Sequence, residues 1–225
     1  MFVCGRDGER LDELNQSSVT LYHGSLGGIH FPIKVDFSKK PCDFGQGFYL
    51  GDMKKQAENR VCTSSNGVIY EMRLDLTDLK VFDFKDDVLW ALYVGINRGK
   101  IDLMMYPKLL KFKQQLDAHD VLIGLIADDK IAQSYNRFME GLVTDKVLIE
   151  CLKSVKYGKQ YVIKSQKACA ALELMDSYKL TKEQRDNSLV WGRTQKEQMG
   201  RIMTSASKAY RREGKFIDEL LEGFR

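Results

Sequence analysis

Proline is scarce, at 3 of 225 residues, and the 18 glycines follow no repeat, which excludes a collagen-like or low-complexity chain. No apolar run approaches the roughly 20 residues a membrane-spanning helix needs. The stretch Met1 to Gln16 is polar and mixed in charge, without the apolar centre of a secretory signal. Cysteines are few and far apart. Cys4, Cys42, Cys62, Cys151 and Cys169 form no C-x-x-C pair, which argues against a zinc site or disulfide framework and for reduced thiols in a cytoplasmic protein. Neither sign of charge dominates: Lys+Arg 35 against Asp+Glu 31 leaves +4, enough to ease the approach of an anion. A dedicated nucleic-acid binder carries a denser basic stripe. The 44% hydrophobic content suffices to bury a core, and the length suits one domain with a helical appendage.

Runs rich in Val, Ile, Phe and Tyr predict strands over Val19–Tyr22, Gly47–Leu50, Val68–Leu74, Leu79–Phe84, Val121–Ala127 and Gln160–Lys164. Helices are expected over Asp52–Val61, Asp86–Asn97, Asp145–Lys153 and Gln166–Leu174, with Thr144 and Ser165 at the N-cap positions of the last two. The irregular alternation lacks the rhythm of a doubly wound parallel sheet, so the expected class is α+β with antiparallel or mixed sheets. Residues 1–17 read as a polar lead-in, 18–180 as the domain, and 181–225 as a helical extension. In that extension Thr181 and Gln184 have capping-box spacing. Met199, Ile202, Met203, Ala206 and Tyr210, then Ile217, Leu220, Leu221 and Phe224, recur at helical intervals and are expected to pack on the domain.

Chemistry concentrates between Tyr22 and Arg60. Tyr22-His23-Gly24-Ser25 ends a strand, and Asp43-Phe44-Gly45-Gln46-Gly47-Phe48-Tyr49-Leu50 is a glycine-broken loop entering another. Gly24 lets backbone amide groups approach a flat amide-bearing ligand, His23 and Ser25 supply hydrogen bonds, and Tyr49 offers a ring for stacking.

His-Gly-Ser followed by Phe-Gly-x-Gly-Phe-Tyr-Leu resembles the NAD-binding core of the ADP-ribosyltransferases of the diphtheria-toxin and poly(ADP-ribose) polymerase branch, and among them bacterial toxin–antitoxin-type members. The resemblance runs over residues 18–175. It implies a fold of two packed, largely antiparallel sheets around an NAD cleft, with NAD as co-substrate, no metal, and transfer of ADP-ribose to a macromolecular acceptor, protein or nucleic acid. It also implies an antitoxin protein as a partner. His23 would hold the adenosine-side ribose, Gly24 and Ser25 the nicotinamide carboxamide, and Tyr49 would stack on the nicotinamide ring.

Two positions depart from the family pattern. Its late-strand glutamate corresponds to Gln160 in Gln160-Tyr161-Val162-Ile163, which keeps a hydrogen bond to the ribose but brings no charge to the developing cation. The resemblance therefore implies slow or single-unit transfer. The second stacking aromatic corresponds to Arg60, an alternative contact for the NAD pyrophosphate. Both departures leave a rival open: a catalytically silent module of the same fold that binds NAD or a protein partner.

Weaker candidates have plainer readings. His119-Asp120 lacks companion ligands for a metal and fits a turn before a strand. Arg98 fits a helix C-terminus, and the lysines around Gln160 fit a solvated basic face.

Overall fold

The computed structural model describes residues 17–37, 42–85, 87–126, 129–153 and 158–225. Residues 1–16 of the expected lead-in, Cys4 among them, and the residues Asp86, Ala127 and Asp128 lie outside them.

Among the described residues seven strands form one mixed sheet in the order β4-β5-β6-β2-β1-β3-β7. They are β1 (Ser18–Ser25), β2 (Phe48–Gly51), β3 (Val68–Asp75), β4 (Val81–Asp83), β5 (Val121–Leu125), β6 (Lys159–Ile163) and β7 (Leu172–Lys179). Neighbours run antiparallel except β4 and β5. The class is thus α+β, and the described strands join in one sheet where the resemblance implies two packed ones. Its strands are nevertheless unevenly joined. β1 pairs with β3 along all eight of its residues, from Ser18↔Asp75 to Ser25↔Val68, whereas β1 and β2 share one pair, Tyr22↔Gly51.

The helices are α1 (Lys54–Val61), α2 (Asp87–Asn97), α3 (Pro107–Asp117), α4 (Asp129–Met139), α5 (Asp145–Lys153), α6 (Gln166–Ala170), α7 (Lys182–Ala209) and α8 (Ile217–Glu222). Expected and observed elements differ at Gln166–Leu174. The helix stops at Ala170, where Ala171 closes it, and Leu172 begins β7, which pairs along β3 from Leu74↔Leu172 to Val68↔Lys179. Ser165 caps α6 as expected, its side chain accepting from the Ala168 N–H. Thr144 does not cap α5: its hydroxyl is buried without a hydrogen-bond partner, and Asp145 accepts from the backbone N–H of Lys146 and of Lys215.

Side chains alternate between the two faces of the strands and build separate clusters. One face gathers Leu21, Phe48, Leu50, Met72, Ile123, Tyr161 and Ile163 beneath α6 and the chain around Ile33. The other carries the largest cluster, in which Leu122 and Val162 meet Trp90, Tyr93, Tyr135 and Phe138 from α2 and α4. A third, smaller cluster sets Ala57 and Val61 of α1 against Ile69. The C-terminal helices belong to this core. Met199, Met203, Ala206, Ile217 and Leu221 are all buried in the largest cluster, and the Thr181–Gln184 capping box is formed in both directions. At the other end of α7, Asn59 Nδ2 donates to the Ser188 carbonyl at 2.8 Å, tying the helix to α1.

Candidate active site

The β1–β2 junction brings the first two motifs together. Past Tyr22↔Gly51 the ladder stops, and His23 Nδ1 lies 2.7 Å from the carbonyl oxygen of Tyr49. The His23 ring stacks on Phe48 with centroids 4.7 Å apart, on the sheet face that holds Leu21 and Leu50. Burial holds the imidazole below its ordinary value, partly opposed by the hydrogen bond to Tyr49, and the nearby Arg60 charge pushes the same way as burial. His23 is therefore neutral near pH 7. Tyr49 projects to the opposite face, among the larger cluster. The two signature side chains thus meet through the Tyr49 backbone, and a common cleft wall built from both rings, as the resemblance implies, is not what the strand alternation gives.

Tyr49 also closes its own loop. Its hydroxyl donates to the Gly45 carbonyl at 2.6 Å and accepts from the Phe44 N–H at 3.0 Å, and burial pushes its pKa upward. Gly45 sits at φ 73°, in the left-handed region where a side chain is strained. Two cations brace the same turn. Arg98 donates through Nε at 2.9 Å and Nη2 at 2.5 Å to Asp43, and Lys164 Nζ donates to the Phe44 carbonyl at 2.6 Å. Burial lowers the Lys164 pKa, with Asp117 opposing. Arg98 is thus a loop anchor and not only a cation at a helix end.

Gly24 has a packing reason to be glycine. A Cβ there would stand 2.5 Å from the Ala57 carbonyl oxygen, so α1 lies directly on β1. Ser25 Oγ donates to the Gly28 carbonyl at 2.8 Å and turns the chain after the strand. Arg60 is exposed in the last turn of α1.

Gln160 pairs with Gly51 and Gly124 on the two strands beside it. Alternation sets it on the same face as Val162 and Tyr49, two residues along the strand from the Tyr49↔Val162 pair. It is only 5% exposed, and its Nε2 donates to the Leu125 carbonyl at 2.8 Å, an acceptor shared with Trp90 Nε1 at 3.0 Å. That bond fixes the amide, with Oε1 turned away from Leu125.

Three polar groups near this strand end have no motif to mark them. The Gln56 amide, beside Gly51, is buried at both oxygen and nitrogen without a hydrogen-bond partner. Asp52 accepts from the Lys159 N–H at 2.9 Å, and burial raises its pKa. Asp83 pairs with the Lys159 ammonium at 2.6 Å. Both carboxylates act on Tyr161, whose pKa is pushed up to about 12 chiefly by burial. By alternation, Lys159 and Tyr161 face away from Gln160.

The family comparison falls on this region. Residues 19–174 match the model of a family described as a protein of unknown function, DUF3990. The chain belongs to that family. No curated protein and no solved structure matches it. The DUF3990 segment takes in β1 to the first part of β7, and with them His23, Gly24, Ser25, Tyr49, Arg60 and Gln160, while α7 and α8 lie beyond it. Among the described residues no group of three or more His, Cys, Asp or Glu is gathered as metal ligands, and no helix is long and apolar enough to cross a membrane. His119 Nδ1 bonds to the Gln115 and Leu116 carbonyls, and Asp120 accepts from the Lys80 N–H, so that pair serves the turn before β5.

Proposed function

We propose that the chain is an NAD-dependent mono-ADP-ribosyltransferase, and that NAD enters where β1 and β2 part. The observation that carries this reading is the single β1–β2 pair. Beyond Tyr22↔Gly51, Gly24 and Ser25 have no ladder partner on the β2 side, next to the strand that bears Tyr49. Backbone amide groups at such an edge suit the nicotinamide carboxamide, whose donor and acceptor match a strand's own. His23, which donates through Nδ1 to the Tyr49 carbonyl, is the residue for the adenosine-side ribose. The motif resemblance gives Gln160, on the other face of the sheet from His23, to the nicotinamide ribose, and the exposed Arg60 is the cation for the pyrophosphate.

In the reaction the glycosidic C–N bond breaks, nicotinamide departs with the bonding pair, and ADP-ribose passes to a nucleophile of a protein or nucleic acid. Positioning and electrostatics carry this step, because its transition state is cationic. A bacterial toxin held by an antitoxin protein is the setting that the motif resemblance suggests.

The second reading, a silent NAD-binding module, is favoured by one contact: Gln160 is buried and its amide is already held by Leu125. Labelled NAD and bacterial lysate decide between them. Label in the macromolecular fraction, reduced by Tyr49→Ala and by Gln160→Ala, supports the transferase. Calorimetric NAD binding without label transfer supports the silent module. Folded protein that gives neither heat nor a thermal shift at millimolar NAD refutes both.

A further inference from the structure

A groove of about 390 Å³ lies where the C-terminal ends of α4 and α7 meet, lined by Arg137, Met203, Thr204, Ser207, Lys208 and Arg211. Its three cations come from two elements and the loop that follows, and no carboxylate of the described residues lines it. None of the three takes part in an ion pair among the described residues. Arg137 Nε is moreover buried without a hydrogen-bond partner. That nitrogen is therefore not held by any acceptor among the described residues, and the guanidinium is not already committed through it.

Cations in the last turn of a helix offset its dipole, and Arg137 and Lys208 do stand there. That role is too small for what is present. Each helix end carries roughly half a negative charge, so three full cations leave the groove at about +2. That charge matches a phosphate dianion, and guanidinium forks fit its oxygens in pairs. Thr204 Oγ1 is spent on the Gly200 carbonyl, which leaves the Ser207 hydroxyl as the neutral donor and Met203 as an apolar wall. The local charge supports the same reading: from Arg193 to Lys215 seven cations stand against Glu197 and Glu213, or +5, while the whole chain carries +4.

We propose that this groove binds a phosphate group, free or carried as a monoester by a small molecule. Its volume falls in the range of about 300–1,000 Å³ typical of small-ligand pockets, room for a phosphate and part of its carrier. The site is built from α4 and α7, and it stands independently of NAD binding at β1 and β2.

Calorimetry on the full chain at fixed ionic strength tests it, with inorganic phosphate, glycerol 3-phosphate, glycerol and a short oligothymidylate as probes. Saturable heat is expected from both phosphates and none from glycerol; whichever phosphate binds more tightly tells free anion from ester. Arg137→Gln and the exposed Arg211→Gln should each weaken binding by about tenfold, the worth of one charge-assisted contact. Lys182→Gln, at the far end of α7, should leave it unchanged, and so should Tyr49→Ala. Should Arg137→Gln fail to fold, Arg211→Gln carries the test. Absence of heat at millimolar phosphate overturns the proposal. Equal losses in Lys182→Gln overturn it in favour of diffuse charge, and binding of only a short oligothymidylate overturns it in favour of a nucleic-acid surface.

Discussion

His23 Nδ1 reaches the Tyr49 carbonyl at 2.7 Å, so a side chain makes the link between β1 and β2 just past their one backbone pair. A carbonyl only accepts, which places the proton on Nδ1 and leaves Nε2 as the acceptor. A charged imidazole would keep the bond but pay desolvation in a buried setting, and the lowered pKa shows that desolvation outweighs it.

This gives a pH dependence of known sign. The folded-state pKa of His23 is below its ordinary 6.5, so the unfolded chain takes up the proton first. The stability due to neutral His23 is complete above about pH 7 and is lost as pH falls through 6.5 towards the lowered folded value. Urea unfolding between about pH 7 and pH 5 should show that loss, and His23→Gln should flatten it. An equal slope in both proteins would remove His23 as its source.

Gly24→Ala should destabilise the fold by about 1–3 kcal/mol, because its methyl meets the Ala57 carbonyl and α1 must move. Gly27→Ala, where an added Cβ has nothing within 4 Å, is the matched control and should change little. The urea midpoints of the two variants make the comparison. If α1 shifts as expected, NAD affinity should fall in the first variant and not in the second.

Replacing Gln160 by Glu would supply the carboxylate of the transferase pattern, but at this position it turns an oxygen towards the Leu125 carbonyl in place of a donor. Gln160→Glu should cost about 2 kcal/mol or more at about pH 8. The carboxyl's folded pKa would be raised, so the deficit should shrink as pH falls through it towards the ordinary carboxyl range. A variant as stable as the parent at high pH would mean that this end of the amide is not held as described.

Truncation after Leu180 should abolish cooperative folding, since it uncovers core that Met199, Met203, Ala206, Ile217 and Leu221 complete. In the intact chain, hydrogen exchange should be slow across Met199–Leu221. Exchange there at the rate of an unstructured peptide would refute docking of the two helices.

What the sequence made legible was local. Val68–Leu74 and Val121–Ala127 announce strands through β-branched and aromatic runs, and the Thr181 box announces α7, because propensity and capping act over a few residues. β7 was not legible: its side chains are mostly exposed at the sheet edge, so no face is marked by apolar alternation, and only its pairing with β3 makes it a strand. α3 has no counterpart among the expected helices, although Pro107 stands at its start and Leu109 and Leu116 are its buried contacts. At the site, His23, Gly24 and Tyr49 are legible as a set through their motifs. Their placement on opposite faces is not, since it depends on the register of β1 against β2. The orphaned amide of Gln56 and the cation Lys164 carry no motif at all, and only packing reveals them.

α7 is a splint across a weak seam. One end is fastened through Ser188 to α1, which rides on β1, and the other is sunk among α4 and α5 over β5 and β6. Its 28 residues span about 42 Å of nearly inextensible rod. Prising β1 from β2 would cost one ladder pair and the His23 contact, but it would also require this rod to bend or to unseat at one end. The β1–β2 seam is therefore braced at a distance, by a helix that lies outside the matched family segment.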